Sequence, residues 1–257
     1  MGWSFVEIPC PEEIRRKIPT MAHVALTMPK EMSLRSKLIL RFSLALIIAA
    51  GMLFIPAGSL RFWQGWTFMA LVFIPSISSY LYFYKHDPQL VERRLQSKEK
   101  VSEQRLLIRL AKPVFFAAFL LPGLDHRLHW SRTYLSAVPL WLMVLSQALV
   151  LGGLLLVVWV MKVNSFASRT IQVEVGQRVI STGPYRMVRH PLYLGSALMW
   201  LSTPLALGSY FALPAFALLI PFYIFRLLNE EEVLRQELRG YPEYCLRTRF
   251  RLVPFVW

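Results

Sequence analysis

Three short segments in the last third of the chain carry side chains that could do chemistry together. The first runs Gly183-Pro184-Tyr185-Arg186-Met187-Val188-Arg189-His190-Pro191-Leu192-Tyr193-Leu194-Gly195. Gly183-Pro184 marks a turn, and Pro191 suits the first position of a helix, where its missing N–H costs nothing. Arg189 and His190 then stand at the N-terminal mouth of that helix, whose unpaired N–H groups and dipole favour an anion. Tyr193 and Gly195 fall in its first turns, and the absent side chain of Gly195 would let a flat ligand approach. The second segment holds Arg226, Glu230 and Glu231. Arg226 and Glu230 are four residues apart and share a helix face, and a carboxylate pair at a membrane boundary is costly unless it meets cations. The third, Gly240-Tyr241-Pro242-Glu243-Tyr244, leads into Arg247, Arg249 and Arg251. Its tyrosines could cover an adenine ring by stacking, or anchor the tail in a membrane interface.

The elements that must position these groups are membrane helices. Hydrophobic residues make up 55% of the chain, charged residues only 17%, and mean hydropathy is +0.44. Charge-free windows cover 42–60, 62–84, 133–161 and 191–225, with lengths of 19, 23, 29 and 35 residues. A bilayer core of ~30 Å needs roughly 20 helical residues. The last window is too long for one helix, and Gly208-Ser209 at its middle signals a turn. It reads as a hairpin of helices over 191–206 and 209–228. A weaker span over 106–124 carries Arg109 and Lys112 near one end, where long side chains snorkel. Gly152-Gly153 permits a close helix contact. The expectation is an all-α, polytopic integral membrane protein of about six transmembrane helices, or five to seven. Residues 1–37 form an N-terminal segment that is not a cleavable signal peptide, 38–162 a scaffold with a cytoplasmic loop over 85–112, and 163–257 the functional region.

The chain's formal net charge is +14. Sorted by side, 26 of its 29 Lys and Arg fall in segments 1–41, 85–112, 162–189 and 226–257, and only Arg61, Arg127 and Arg132 on the other. The positive-inside rule then places both termini and the loops 85–112 and 162–190 in the cytoplasm. Anionic lipid headgroups account for the basic character, so nucleic acid is not needed as a partner. Cys10 and Cys245 indicate no disulfide framework. Asp125, His126 and His129 match no trusted metal spacing and read as an interfacial turn. The loop 85–112 reads as a solvated amphipathic linker.

If the hairpin forms, Arg189-His190 meets Glu230-Glu231 at its cytoplasmic end. A site with cationic and anionic poles suits a zwitterion, or a cation with a carboxylate tail. S-adenosylmethionine is such a molecule, with an amino-acid end and a sulfonium.

The three segments together resemble the isoprenylcysteine carboxyl methyltransferase family, and more loosely the phospholipid N-methyltransferases. The resemblance rests on Gly183-Pro184-Tyr185-Arg186, Arg189-His190-Pro191-x-Tyr193-x-Gly195, Arg226 with Glu230-Glu231, and Gly240-Tyr241-x-x-Tyr244. Gly123-Leu124-Asp125-His126-Arg127 and Asn164-Ser165-Phe166 also look like segments of bacterial members. The resemblance implies a membrane methyltransferase, here in a bacterial inner membrane, with a cytoplasm-facing pocket. Tyr185, His190, Tyr193, Gly195, Glu230 and Glu231 would line the S-adenosylmethionine site, and Tyr241 and Tyr244 would cap the adenosine. Arg189, Arg226 and Glu230 would be the catalytic set, with a lipophilic acceptor arriving from the bilayer through a gap between helices. A carboxylate acceptor is already ionised at neutral pH and needs no general base. An amine acceptor must lose a proton to Glu230, Glu231 or His190. Two other readings stay open: an NADPH-dependent sterol-type membrane reductase, and a membrane protein without catalysis.

Overall fold

The computed structural model describes residues 32–95, 102–167, 173 and 176–257. Expectations for residues 1–31 fall outside them. The chain divides into two units, Met1–Leu40 and Arg41–Trp257, and every residue of the site lies in the second.

Among the described residues the regular structure is all helical: α1 Leu34–Ala57, α2 Trp63–His86, α3 Pro88–Leu95, α4 Ser102–Leu128, α5 Trp130–Tyr134, α6 Leu140–Val163, α7 Pro191–Ala206, α8 Leu213–Ala217, α9 Ile220–Glu237 and α10 Tyr241–Arg247. A 3-10 turn over Gly183–Arg186 precedes α7. Among the described residues, five segments are long and apolar enough to cross a bilayer: Leu34–Ala57, Trp63–His86, Arg105–Leu128, Leu140–Val163 and Leu213–Glu237. The polytopic reading holds, and the insecure third span is a continuous helix. It begins ten residues before Lys112, so the expected loop 85–112 is replaced largely by α3 and the first turns of α4. Helix α7 has 16 residues, fewer than the ~20 a full crossing needs.

The first arm of the hairpin has the expected bounds, 191–206, whereas the second, expected as one helix over 209–228, is divided into α8 Leu213–Ala217 and α9 Ile220–Glu237. Pro191 opens α7 at its first position, and Gly208 leaves it at φ 76°, the left-handed conformation glycine adopts without a Cβ penalty. Helix α7 packs most extensively against α6. Gly153 and Gly195 face each other across this contact. A Cβ on Gly195 would lie 2.7 Å from the Gly153 carbonyl oxygen, whereas one on Gly152 would meet nothing within 4 Å. Gly153 is therefore the contact residue of the pair. Leu53, Phe62, Phe119, Val150, Leu207 and Phe216 form a core between the helices.

At the end of α4, Asp125 is 4% exposed. Its carboxylate accepts from the Ser131 N–H at 2.7 Å and from the Ser131 and Ser209 hydroxyls. Ser131 Oγ in turn accepts from the Tyr210 N–H at 2.9 Å. The expected interfacial turn thus ties the end of α4 to the turn after α7, and His126 stacks on Phe62 at 4.6 Å.

Candidate active site

The site is built on two helix faces. Tyr223, Arg226 and Glu230 recur at i, i+3 and i+7 along α9, and Tyr193, Ser196 and Trp200 do so along α7. That spacing puts each trio on one face. Both faces line a cavity of about 490 Å³, within the roughly 300–1,000 Å³ typical of small-molecule sites.

Hydrogen bonds fix its walls. The Tyr193 hydroxyl donates to Glu230 Oε2 at 2.7 Å, and the Tyr223 hydroxyl donates to the Tyr193 carbonyl at 3.0 Å. Asn164 Nδ2 donates to the Tyr185 hydroxyl at 2.8 Å, and the Tyr244 hydroxyl donates to the Tyr185 carbonyl at 2.8 Å. The Tyr241 hydroxyl lies 3.5 Å from His190 Nε2. Tyr241 and Tyr244 are 4% and 5% exposed, so they are cavity walls and not interfacial anchors. Burial pushes the Tyr185 phenol up to about 12, against the opposing hydrogen bond from Asn164. Burial raises Tyr241 and Tyr244 as well. All three remain neutral hydroxyls at physiological pH.

Arg189 is 7% exposed and also lines the cavity. Its Nη1 lies 2.8 Å from Glu231 Oε1, and among the described residues its Nε has no hydrogen-bond partner. Glu231 is a buried hub. Besides Arg189 it meets Arg235 Nη2 at 2.8 Å, Arg251 Nε at 2.6 Å and His190 Nε2 at 3.9 Å.

The structure brings Tyr185, Arg189, His190, Tyr193, Arg226, Glu230, Tyr241 and Tyr244 to one cavity. Two expected cofactor residues lie elsewhere. Glu231 points away, because neighbours on a helix are about 100° apart and its carboxylate is spent on arginines. Gly195 is packed on α6, so its missing side chain serves helix contact. The helix N-terminus also differs from expectation: the Arg189 and His190 N–H groups donate to the Phe250 and Arg251 carbonyls, both at 2.9 Å.

Sequence reasoning missed Arg94, Phe115, Trp200 and Tyr223, which also line the cavity. Tyr223 and Trp200 share faces with residues already singled out, and that periodicity was the available signal. Arg94 comes from α3, within the segment expected to be a linker. Leu90 and Val91 are fully buried there. Arg93 donates from Nη1 to the Ser165 carbonyl at 2.8 Å and lies 5.1 Å over the Phe166 ring, holding that wall in place.

A second, apolar pocket of about 160 Å³ lies beside the first, lined by Leu107, Ile108 and Ala111 of α4 and by Phe222 of α9. Phe115, Trp200, Tyr223 and Arg226 line both cavities. A ligand spanning the two would place an apolar body between α4 and α9 and a polar end at Arg226.

Residues 141–239 match the family model of the phospholipid methyltransferases, somewhat under half of the chain. The Delta(14)-sterol reductase of Mus musculus is 35% identical over 94 residues, which cover 34% of this chain and 22% of that protein. The chain thus spans about a fifth of the length of that curated relative. It is an integral membrane protein by its apolar helices, and the stretch that resembles membrane methyltransferases supplies most of the walls of its polar cavity.

Proposed function

We propose that this chain is a membrane-embedded, S-adenosylmethionine-dependent methyltransferase that O-methylates a carboxylate on a lipophilic, isoprenylcysteine-like acceptor. The observation that carries this reading is the meeting of two cavities at Arg226, one polar, with Glu230 as the single carboxylate among its described lining residues, and one apolar. The family match over 141–239 supports methyl transfer.

The donor set fits the cofactor. Glu230, held by the Tyr193 hydroxyl, offers a carboxylate to an ammonium or sulfonium, and the buried, unpartnered Arg189 Nε offers an N–H to a carboxylate oxygen. Buried tyrosine rings offer faces to an adenine. S-adenosylmethionine supplies a methyl group on a sulfonium, which is left as a neutral thioether. Arg226 would hold the acceptor carboxylate, which is already ionised at neutral pH, so that no residue of this chain has to take up a proton. The residues then act by alignment and exclusion of water, which can supply several kcal/mol of barrier lowering. The strong bias of Lys and Arg to one side supports a cavity facing the cytoplasm, and the bacterial inner membrane placement rests on the resemblance to bacterial members.

The reductase reading has one observation in its favour, the identity to the sterol reductase. Glu231, neutralised by three arginines, no longer argues against a diphosphate, and Glu230 alone does so. The discriminating experiment is calorimetry on detergent-solubilised protein with S-adenosylmethionine, S-adenosylhomocysteine and NADPH. Saturable binding of the first two is expected. Binding of NADPH alone would overturn the proposal, and binding of none would favour a non-catalytic protein. Arg226→Ala is expected to lower turnover more than cofactor affinity, and the reverse would remove Arg226 from the acceptor's side.

A further inference from the structure

We propose that Arg251 is a positioning residue for the cavity, acting on Arg189 and His190 through Glu231 and through the backbone of the C-terminal tail. The inference rests on the cavity being the cofactor site. Arg251 does not line that cavity.

Two connections lead from the tail to the cavity wall. One is backbone: the Phe250 and Arg251 carbonyls accept from the Arg189 and His190 N–H groups, fixing the residues that open α7. The other is the side chain, whose Nε donates to Glu231 Oε2 at 2.6 Å. The opposite oxygen, Oε1, takes Arg189 Nη1 and Arg235 Nη2. With both oxygens occupied, the carboxylate cannot rotate without breaking a charge-assisted bond. Arg189 is therefore anchored at Nη1 where it lines the cavity. An arginine side chain otherwise has large rotamer freedom, and ordering it in advance removes that cost from ligand binding.

Arg251 is itself held. Its guanidinium lies 5.4 Å over the Trp257 ring, and the Leu252 and Val253 N–H groups donate to the Trp257 main-chain oxygen at 2.9 and 3.1 Å. Charge compensation of buried Arg189 needs only one carboxylate. A third arginine on Glu231 is superfluous for charge balance but sufficient to fix orientation. Arg251 is 31% exposed in its side chain, and without it Arg189 and Arg235 still compensate Glu231, so its removal should be felt at the wall.

The test uses the full chain in detergent with Arg251→Gln and Arg251→Lys. Hydrogen exchange in the unliganded protein is followed over the peptide containing Arg189–Tyr193, and S-adenosylhomocysteine affinity is measured by calorimetry. For Arg251→Gln we expect faster exchange in that peptide, unchanged exchange in α6, and an affinity loss of about tenfold, the cost of ordering one rotamer-rich side chain on binding. Arg251→Lys should recover most of both. Unchanged exchange overturns the proposal, as does faster exchange with unchanged affinity. If the parent protein binds no S-adenosylhomocysteine while exchange still responds, the cofactor reading fails and the latch stands. A drop in protection spread across α6 would make Arg251 a residue of general stability and overturn its positioning role.

Discussion

Glu230 and Glu231 are adjacent and chemically identical, yet the structure predicts opposite consequences for converting each to glutamine. Glu230 is at the cavity and accepts from the Tyr193 hydroxyl, a bond that glutamine can still accept. The fold is expected to survive Glu230→Gln, but the cofactor loses its ionic partner. A hydrogen bond to a charged group contributes about 1.5–3 kcal/mol net. At ~1.4 kcal/mol per tenfold, affinity should fall roughly tenfold to a hundredfold. If Glu230 meets the sulfonium, the loss is larger for S-adenosylmethionine than for S-adenosylhomocysteine. If it meets the ammonium, the two losses are equal. Glu231→Gln removes the charge that compensates buried Arg189. Breaking a buried pair costs about 3–5 kcal/mol, and the lower end applies because Arg235 and Arg251 are 42% and 31% exposed in their side chains. About 3 kcal/mol corresponds to a melting point lower by roughly 6–12 °C. The assay pairs calorimetry with thermal unfolding in detergent. Full affinity in Glu230→Gln, or a normal melting point in Glu231→Gln, would refute the division of roles.

Further expectations concern the scaffold. Gly195→Val should abolish accumulation of folded protein, since its Cβ would drive into the Gly153 carbonyl, while Gly152→Ala should be silent; equal behaviour in an expression and melting assay would exclude the close α6–α7 contact. Asp125→Ala leaves the Ser131 N–H and two hydroxyls buried without their acceptor, which should lower stability by about 3 kcal/mol, read as a melting shift with cofactor affinity per folded molecule unchanged. Tyr185 is raised to about 12 from an unfolded value near ~10 by burial. Its neutral form is favoured in the fold, so its contribution is intact below pH ~10 and is lost as pH rises through about 12. The phenolate absorbance of parent minus Tyr185→Phe should titrate there, and a midpoint near ~10 would mean that Tyr185 is solvated.

Much of the site was legible because its chemistry is local in sequence. Tyr185, His190 and Tyr193 fall within one turn and one helix start, and Glu230 shares a face with Arg226, so spacing alone brings them together once the hairpin is drawn. Two misreadings have physical causes. A glycine in a helix permits either a ligand or another helix to come close, and only the position of α6 decides for Gly195. Adjacent carboxylates look like a pair in one dimension, but the helical rotation of about 100° sends Glu231 to the arginines. Arg94 and Phe115 come from segments remote in sequence, and nothing in their immediate surroundings shows that they reach the cavity. The long spans were legible from window length. The onset of α4 was hidden by Arg105, Arg109 and Lys112, which break the charge-free count without breaking the helix.

The shortness of α7 has a bearing on how the protein is made. Its 16 residues reach about 24 Å, less than the ~30 Å hydrocarbon layer. At its far end the Ser209 hydroxyl and the Tyr210 N–H find their partners outside α7, on Asp125 and Ser131. Asp125 supplies the missing acceptor, and it belongs to a helix synthesised earlier in the chain. A nascent α7 satisfies the Ser209 N–H on its own Pro204 carbonyl, but its own turn offers no acceptor for the Ser209 hydroxyl proton. Its stable residence in the bilayer depends on α4 having already arrived, so the order of synthesis matches the order in which these elements can be accommodated.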